Sequence, residues 1–190
     1  MNDKGQLYVL DCFAGAGFAM QAFVDRGHIV HTVDIKGSQT YVMDIRRFHP
    51  CKGIHYDFIW MSLPCTRLGE NLKEQNDISI ITACFRIIAE ALPKFWMIAD
   101  FRDCLQQFMG KPDRTILYSG YDGYTKNPTN LWGCFPKAFS EILKSTELTI
   151  IDKLFSMKYL PWCDIIPYGL SYAICKAVED DIGGVLIRNE

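Results

Sequence analysis

The chain has 190 residues, enough for one domain that buries roughly 70% of the surface of its unfolded form. Apolar residues make up 49% of it and charged residues 22%, which excludes a disordered or fibrous protein. The net charge of -2 supplies no general attraction for nucleic acid, so such binding would need a local patch. No apolar run reaches the roughly 18 residues of a membrane span, and residues 1–5 do not resemble a signal peptide. We therefore expect a cytoplasmic protein with no membrane partner.

The eight cysteines are scattered along the chain, mostly within apolar runs, and none forms a CxxC pair. Disulfide frameworks and zinc sites both need closer and more regular spacing. The sequence therefore predicts reduced thiols and no metal site.

Strand and helix patterns alternate through the first part of the chain. Apolar runs predict strands over Leu7–Asp11, Ile29–Asp34 and Asp57–Ser62, with a short segment at Thr40–Ile45. A helix over Phe18–Arg26 is predicted between the first two strands, because Phe18, Ala19, Ala22 and Phe23 share one helical face. This βαβ order is typical of a parallel sheet.

The rest of the chain is predicted to close the same sheet. An amphipathic helix is expected over Asp77–Leu92 and a buried strand over Phe95–Asp100. Further along, the patterns predict an antiparallel strand, a short strand and a closing helix, over Arg114–Tyr121, Leu148–Phe155 and Tyr168–Val178. A stretch rich in Pro, Asn and Gly, Asn127–Pro136, separates the first two. We expect one α/β domain over residues 1–190: a mostly parallel sheet with an antiparallel hairpin and helices on both faces.

A glycine-containing turn, Phe13–Gly17, follows the first predicted strand. Glycines at such a turn let a ligand approach the backbone closely at the start of a helix. Asp34 ends the second strand, where acidic residues accept hydrogen bonds from a ribose in doubly wound folds. Any single glycine could equally mark a plain tight turn. Together with Asp34, the turn favours a cofactor that contains a nucleoside.

Cys65 follows the strand Asp57–Ser62 directly, within Ser62–Thr66. Open α/β sheets bind their ligands at the carboxyl ends of their strands, so this cysteine is expected beside the glycine turn. A lone cysteine is usually a buried thiol. The preceding Pro64 and the position at a strand end favour a nucleophile instead.

These segments resemble the cytosine-C5 DNA methyltransferases, which use S-adenosylmethionine, and in particular their small phage- and prokaryote-type members. Asp11–Gly17 is similar to the family's cofactor motif, and Pro64–Cys65 to the motif that carries the nucleophile. Asp34 and Asp44 match its acidic ligands of ribose and adenine, and Ile166–Ser171 resembles its last motif. The resemblance extends over nearly the whole chain, with the motifs in the family's order. It implies a Rossmann-like class I methyltransferase fold.

The resemblance also implies a role for each site residue. A thiolate adds to C6 of cytosine, C5 takes the methyl group, and a base then removes the C5 proton. The catalytic candidates are Cys65 and Asp100. The candidate cofactor contacts are Phe13, Ala14, Gly15, Gly17, Asp34, Ile35, Asp44, Leu63 and Pro64. The candidate nucleic-acid contacts are Arg67, Arg102, Arg114 and Lys126.

The sequence departs from the family at four points. The glutamate that binds the cytosine edge is replaced by Ala99, beside Asp100, and a serine of the cysteine motif is replaced by Gly69. The family's Gln-x-Arg-x-Arg motif is not evident, and little chain is left for a target-recognition domain, which a second protein subunit could supply. Three hypotheses stay open: an active minimal enzyme with altered acid catalysis, a lapsed member that binds nucleic acid or a partner subunit, or a deliberately altered site.

Overall fold

The structure, a computed structural model, describes residues 5–64, 75–100, 105–117, 128–139 and 166–187. Seven strands and four helices lie in these ranges. In chain order they are β1 (Tyr8–Cys12), α1 (Gln21–Asp25), β2 (Ile29–Asp34), β3 (Tyr41–Val42), β4 (Phe58–Ser62), α2 (Gln75–Ala91), β5 (Phe95–Asp100), α3 (Gln106–Met109), β6 (Arg114–Leu117), β7 (Pro128–Cys134) and α4 (Tyr168–Ile187).

The seven strands form one sheet in the order β3-β2-β1-β4-β5-β7-β6. The first five strands are parallel, whereas β7 runs antiparallel to both β5 and β6. The predicted mostly parallel sheet with an antiparallel hairpin is therefore confirmed. Parallel strands of this kind are covered on both faces, which explains why β1, β4 and β5 are nearly continuous apolar runs.

Each face of the sheet has its own apolar core, because successive side chains of a strand point to opposite faces. The α4-side core joins the sheet to α1 and α4; it includes Val9, Phe23, Phe58, Trp60, Met97, Ala99, Leu131, Leu170, Ile174 and Val178. The α2-side core joins the other face to α2; it includes Leu10, Cys12, Val33, Ile59, Met61, Leu63, Ile81, Cys84, Ile87, Ile98 and Trp132. Helices on both faces are therefore also confirmed.

Most predicted elements are present with small changes at their ends. The strands Ile29–Asp34 and Phe95–Asp100 have the predicted bounds, and the closing helix begins at Tyr168 as predicted. The predicted strand Arg114–Tyr121 is observed as β6, which ends at Leu117 within the described residues. The predicted strand Leu148–Phe155 lies outside the described residues.

Two predictions were wrong in part. The helix Phe18–Arg26 is shorter, spanning Gln21–Asp25, and Phe18 is 45% exposed outside it rather than on its apolar face. The Pro-, Asn- and Gly-rich stretch Asn127–Pro136, to which the sequence patterns assigned no strand, contains strand β7. Pro128 is tolerated because it is the first residue of that strand.

No helix in the described ranges is long and apolar enough to cross a membrane. The five cysteines in those ranges are free thiols: Cys12, Cys51, Cys84, Cys134 and Cys175.

Candidate active site

The candidate site lies where β1 and β4 are neighbours in the sheet. From this pair the strand order extends outward through β2 on one side and β5 on the other, which makes it a topological switch point. Cys12 is in register with Met61, so residues 13–17 and Pro64 leave adjacent strands at the same edge. Neighbouring strands lie about 4.8 Å apart. The sheet therefore brings the glycine turn next to the segment that leads into Cys65.

The glycine turn is fixed to the end of β2. The backbone N–H groups of Phe13 and Ala14 both donate to the carbonyl oxygen of Val33, at 2.8 and 3.2 Å. Gly15 and Gly17 have φ angles of 54° and 81°, the left-handed conformation that glycine adopts without strain. A Cβ atom at Gly17 would meet nothing within 4 Å. Among the described residues, none therefore fills the space beside Gly17.

The carboxylate of Asp34 holds this turn in place. Its Oδ2 accepts a hydrogen bond from the backbone N–H of Gly15 at 3.0 Å, and its Oδ1 accepts one from the N–H of Lys36 at 3.3 Å. The side chain of Gln39 donates to the carbonyl oxygen of Gly15 at 2.7 Å. Each carboxylate oxygen has a second lone pair, so Asp34 can still accept a hydrogen bond from a hydroxyl group.

Asp11, the first residue of the segment Asp11–Gly17 that resembles a cofactor motif, is a buried acid with no role predicted from the sequence. Its side chain is 0% exposed, and neither carboxylate oxygen has a hydrogen-bond partner within the described ranges. Burial first, and then the charge of Asp34, raise the pKa of Asp11 to about 8. The burial of Asp11 could not be predicted from its position between Leu10 and Cys12, because segments far along the chain cover its side chain.

Apolar side chains border the same edge to different degrees. Ile35 and Met43 expose 37% and 40% of their surface, and such surface suits the face of a nucleobase. Phe13 is partly buried against the α2-side core, in a left-handed conformation with φ 61°. Leu63 is only 3% exposed, so its side chain belongs to the core, and Pro64 is half-buried. The predicted cofactor contacts of Leu63, Pro64 and Ala14 stay predictions; Ala14 is 7% exposed.

Asp44, the predicted adenine ligand, follows the short strand β3 and is already paired. Its carboxylate accepts hydrogen bonds from Nε and Nη2 of Arg46 and from the Arg46 backbone N–H. The side-chain hydrogen bond from Arg46 is the main cause that lowers the pKa of Asp44 to about 2. Asp44 is therefore ionised at neutral pH, and an adenine amino group would share it with Arg46.

A groove of about 450 Å³ lies between Arg46 and the first half of α2, lined by Arg46, Ile78, Ser79, Thr82, Ala83 and Arg86. Both guanidinium groups are engaged: Arg46 binds Asp44, and Arg86 binds Glu90 and donates to the carbonyl oxygen of Phe48 at 2.7 Å. The groove is thus close to neutral in charge.

The other half of the edge, formed by β5 and β7, differs in character. Ala99 is 0% exposed within the α4-side core, in register with Ser62 on β4 and Leu131 on β7. Asp100 is 3% exposed, and its Oδ2 accepts a hydrogen bond from the backbone N–H of Leu105 at 2.7 Å. Because Ile98 belongs to the α2-side core, Asp100 points to the face opposite Ala99, as expected from the alternation of a strand.

Several predicted site residues lie outside the described residues: Cys65, Arg67, Arg102 and Lys126, together with Gly69. Arg114 is described and exposed on β6, in register with Leu131. Its guanidinium lies 5.6 Å from the ring centre of Phe135, and its Nη1 donates to the carbonyl oxygen of Asp113 at 2.8 Å. The structure thus brings Asp34, Ile35 and the glycine turn together, and it places Arg114 two strands beyond β5.

Three potential metal ligands, His28, Cys175 and Glu179, lie within 4.8 Å of one another away from this edge. Nδ1 of His28 accepts a hydrogen bond from the backbone N–H of Leu7, so its Nε2 carries the proton that Glu179 accepts at 3.0 Å. Arg26 donates to both oxygens of Glu179, at 2.7 and 2.8 Å. A protonated nitrogen and a guanidinium on the same carboxylate favour an ion-pair network over a metal site. The network fastens α4 to the end of α1.

Comparison with known proteins finds a solved structure of similar fold but no family related by sequence. No protein-family model matches the chain, and no curated protein matches it. A solved structure provisionally described as a DNA modification methyltransferase encoded within a prophage of E. coli superposes with a TM-score of 0.52 at 15% identity. The match covers 67% of this chain and 46% of that one, so the chain spans less than half the length of that structure.

A second solved structure, the PH0226 protein from Pyrococcus horikoshii OT3, has a TM-score of 0.38 at 15% identity and covers 75% of this chain and 73% of its own. A TM-score this low does not establish a shared fold. The sheet order and the first likeness show that the chain has the Rossmann-like α/β fold of methyltransferases, as the sequence predicted.

Proposed function

We propose that this chain transfers a methyl group from S-adenosylmethionine to C5 of cytosine in DNA, through a covalent adduct with Cys65. The observation that carries the proposal is the adjacency of β1 and β4, which sets the glycine turn beside Pro64 at the switch point of the sheet. That edge is where open α/β sheets bind their ligands. The motif order of the sequence and the likeness to a methyltransferase fold support the same proposal.

The residues at the β1–β2 edge fit the charge and shape of this cofactor. S-Adenosylmethionine carries a positive sulfonium, an ammonium group, a ribose and an adenine. Asp34 offers lone pairs for the ribose hydroxyls, and Ile35 and Met43 offer exposed apolar surface for the adenine. The buried carboxyl of Asp11, without a partner in the described ranges, lies next to the turn and can ionise when a positively charged ligand binds there. The two carboxyl groups suit a ligand that carries positive charge.

The role of Cys65 in the proposal follows from elementary chemistry. Its thiolate adds to C6 of the cytosine, and the electron pair displaced from the C5–C6 double bond makes C5 nucleophilic. When bound, the cofactor supplies an electrophilic methyl group to that carbon. A base then takes the C5 proton, the double bond re-forms, and the C–S bond breaks to release Cys65 as the thiolate. The target base must first leave the helix stack, at a cost of a few kcal/mol.

Calorimetric titration with S-adenosylmethionine and transfer of tritiated methyl groups to mixed-sequence DNA test this proposal. We expect binding in the micromolar range, and transfer that Cys65→Ala abolishes while cofactor binding stays unchanged. Cys134→Ala is the matched control, because Cys134 is an exposed free thiol at the end of β7. No binding at millimolar cofactor, or full transfer by Cys65→Ala, would refute the proposal.

A second candidate is a lapsed methyltransferase that retains binding to nucleic acid or to a catalytic partner subunit. One observation favours it: the face of β5 on which the family places its glutamate carries the buried, apolar Ala99. General acid–base assistance contributes about 10²–10⁴ in rate, so its loss alone would leave a slow enzyme. Cofactor binding without detectable transfer, together with DNA binding in a gel-shift assay, would support this candidate over the first.

A further inference from the structure

Asp11 has the least satisfied side chain in the described part of the sheet edge. Both of its carboxylate oxygens are buried and lack a hydrogen-bond partner there. Buried polar groups are almost always paired, since an unpaired one costs free energy. Because burial disfavours the charged form, a buried carboxyl without a partner stays protonated unless a positive charge comes near it.

The groups that face Asp11 supply no such charge. Asp11 lies on the α4 side of the sheet, because its neighbours Leu10 and Cys12 belong to the α2-side core. From β2, Asp34 acts on it with the same sign of charge, and on its own strand Cys12 is a buried thiol. From β4 the side chain in register is Trp60.

The helices packed on that face add no charge at this end either. Helix α1 contributes the apolar Ala22 and Phe23, and α4 contributes Ser171, whose hydroxyl accepts a hydrogen bond from the backbone N–H of Ala22 at 3.1 Å. The charged groups of these helices have other partners: Glu179 pairs with Arg26 just after α1, and Lys176 pairs with Asp180. Asp25 accepts a hydrogen bond from Gln21, and Asp181 accepts one from the backbone N–H of Lys137. Among the described residues named here, those around Asp11 are apolar, neutral or negatively charged, and none of them carries a positive charge.

We propose that Asp11 makes the cofactor site discriminate between the cationic sulfonium of S-adenosylmethionine and the neutral thioether of its demethylated product. The inference rests on the function proposed above. In the free protein Asp11 holds a proton. When the sulfonium enters above the glycine turn, Asp11 releases that proton to solvent and becomes the counter-charge; no other bond changes.

Electrostatics alone can produce this exchange, without direct contact between Asp11 and the ligand. Two unit charges about 7 Å apart at an effective dielectric constant of about 20 change an acid's ionisation equilibrium by more than tenfold. Both ligands carry the same adenosine, ammonium and carboxylate, whose opposite charges largely cancel. Any difference in proton release or Kd between the two ligands therefore reports the effect of the sulfonium charge alone.

The test is calorimetric titration of both ligands at pH 7 in two buffers of different ionisation enthalpy, phosphate and Tris. The slope of the apparent enthalpy against buffer enthalpy counts the protons released. We expect S-adenosylmethionine to release about half a proton more than its demethylated product. The ratio of the product's Kd to the cofactor's Kd should rise about tenfold from pH 6.5 to pH 8.5.

Two variants localise the effect. Asp11→Asn should bind both ligands with no difference in proton release and with a Kd ratio independent of pH. Asp57→Asn is the matched control. Asp57 is also buried, but it lies at the other end of β4, where its Oδ2 accepts a hydrogen bond from the backbone N–H of Tyr8. It should keep the wild-type proton release.

The possible outcomes separate this inference from the proposed function. Binding of both ligands with equal proton release would overturn the inference and leave the function standing. A difference in proton release that persists in Asp11→Asn would overturn it as well. Failure of either ligand to bind the wild-type protein would refute the function itself. If circular dichroism shows Asp11→Asn to be unfolded, the wild-type titrations in the two buffers decide.

Discussion

The carboxyl edge of the sheet has two halves that differ in chemistry. The β1–β2 half carries two acidic side chains and an open glycine turn: Asp34 holds the N–H of Gly15, and Asp11 is buried beside it without a partner in the described ranges. The β5–β7 half carries Ala99 in an apolar core and Asp100 bonded to the backbone of the next segment. One half is arranged for a charged ligand, and the other is arranged for packing.

This difference bears directly on the two proposed functions. The half that the cofactor would occupy keeps polar groups that cost stability in the free protein, which is typical of a binding site. The β5–β7 half carries the apolar Ala99 where the cytosine-C5 methyltransferases that the sequence resembles have a glutamate. Cofactor binding is therefore better supported by the structure than acid–base assistance, and variants on each half can test the contrast.

The largest effect is expected from Ala99→Glu, which places a carboxyl in the α4-side core. Ala99 is fully buried beside Leu131 and Met97, so an added carboxylate would be desolvated or would displace its neighbours. We expect the free energy of unfolding to fall by about 3 kcal/mol or more, measured by urea denaturation. Ala99→Ser, which adds one atom, is the control and should lose much less. A stable Ala99→Glu with increased methyl transfer would show instead that this half is still an active site.

Asp11→Asn should change how stability depends on pH. The folded-state pKa of about 8 lies above the unfolded value of 3.8, so wild-type stability should be fully present below pH 3.8 and should fall progressively until pH has risen through 8. Between pH 5 and pH 7 this decline amounts to roughly 3 kcal/mol. The variant should lack this decline in urea denaturation without ligand. Parallel curves for the two proteins would contradict a neutral Asp11.

Asp34→Asn should weaken binding on the cofactor half without unfolding the protein. Asparagine can still accept from the N–H of Gly15, but it loses the charge and one acceptor oxygen. Loss of a charged hydrogen bond costs about 2 kcal/mol, so the Kd for S-adenosylmethionine should rise about 30-fold in calorimetry. Asp180→Asn, at an exposed position of α4, should leave the Kd unchanged. An unchanged Kd in Asp34→Asn would remove Asp34 from the site.

The smallest effect is expected away from both halves, in the ion pair that fastens α4 to α1. Partial burial alone would raise the pKa of Glu179, but hydrogen bonds from Arg26 and His28 outweigh it and lower the pKa below the usual 4.5. Its contribution should therefore be present above pH 4.5 and be lost as pH falls through the folded value. We expect Glu179→Gln to cost about 1 kcal/mol at pH 7 and nothing at pH 2. A cost that persists at pH 2 would point to packing instead of charge.

The sequence predicted most of the sheet because local patterns coincided with burial. Ile29–Asp34 and Phe95–Asp100 are apolar runs with polar ends, and they form strands with those bounds. Strand β7 was not predicted because its segment is rich in Pro, Asn and Gly. Gly133 is needed there because a Cβ atom would lie 2.0 Å from the carbonyl oxygen of Trp96, a contact between distant segments that no local pattern encodes.

The candidate site was predictable in part for the same reason. Glycines followed by an acid one strand later indicate a ligand turn, and Asp34 does bind Gly15. Two features were not accessible from the sequence. The burial of Asp11 depends on helices far along the chain, and the pairing of Asp44 with Arg46 depends on the backbone path after β3. Both alter the charge available to a ligand, which is a property of the folded chain.

The central claim, a covalent adduct between Cys65 and cytosine that forms beside bound S-adenosylmethionine, can be tested with DNA that contains 5-fluorocytosine. Fluorine at C5 cannot leave as a proton does, so the adduct should persist after methyl transfer. Intact-mass spectrometry should then show one DNA strand attached to the protein when the cofactor is present, and none with Cys65→Ala. A protein that binds the cofactor and methylates DNA, yet forms no adduct, would contradict the account.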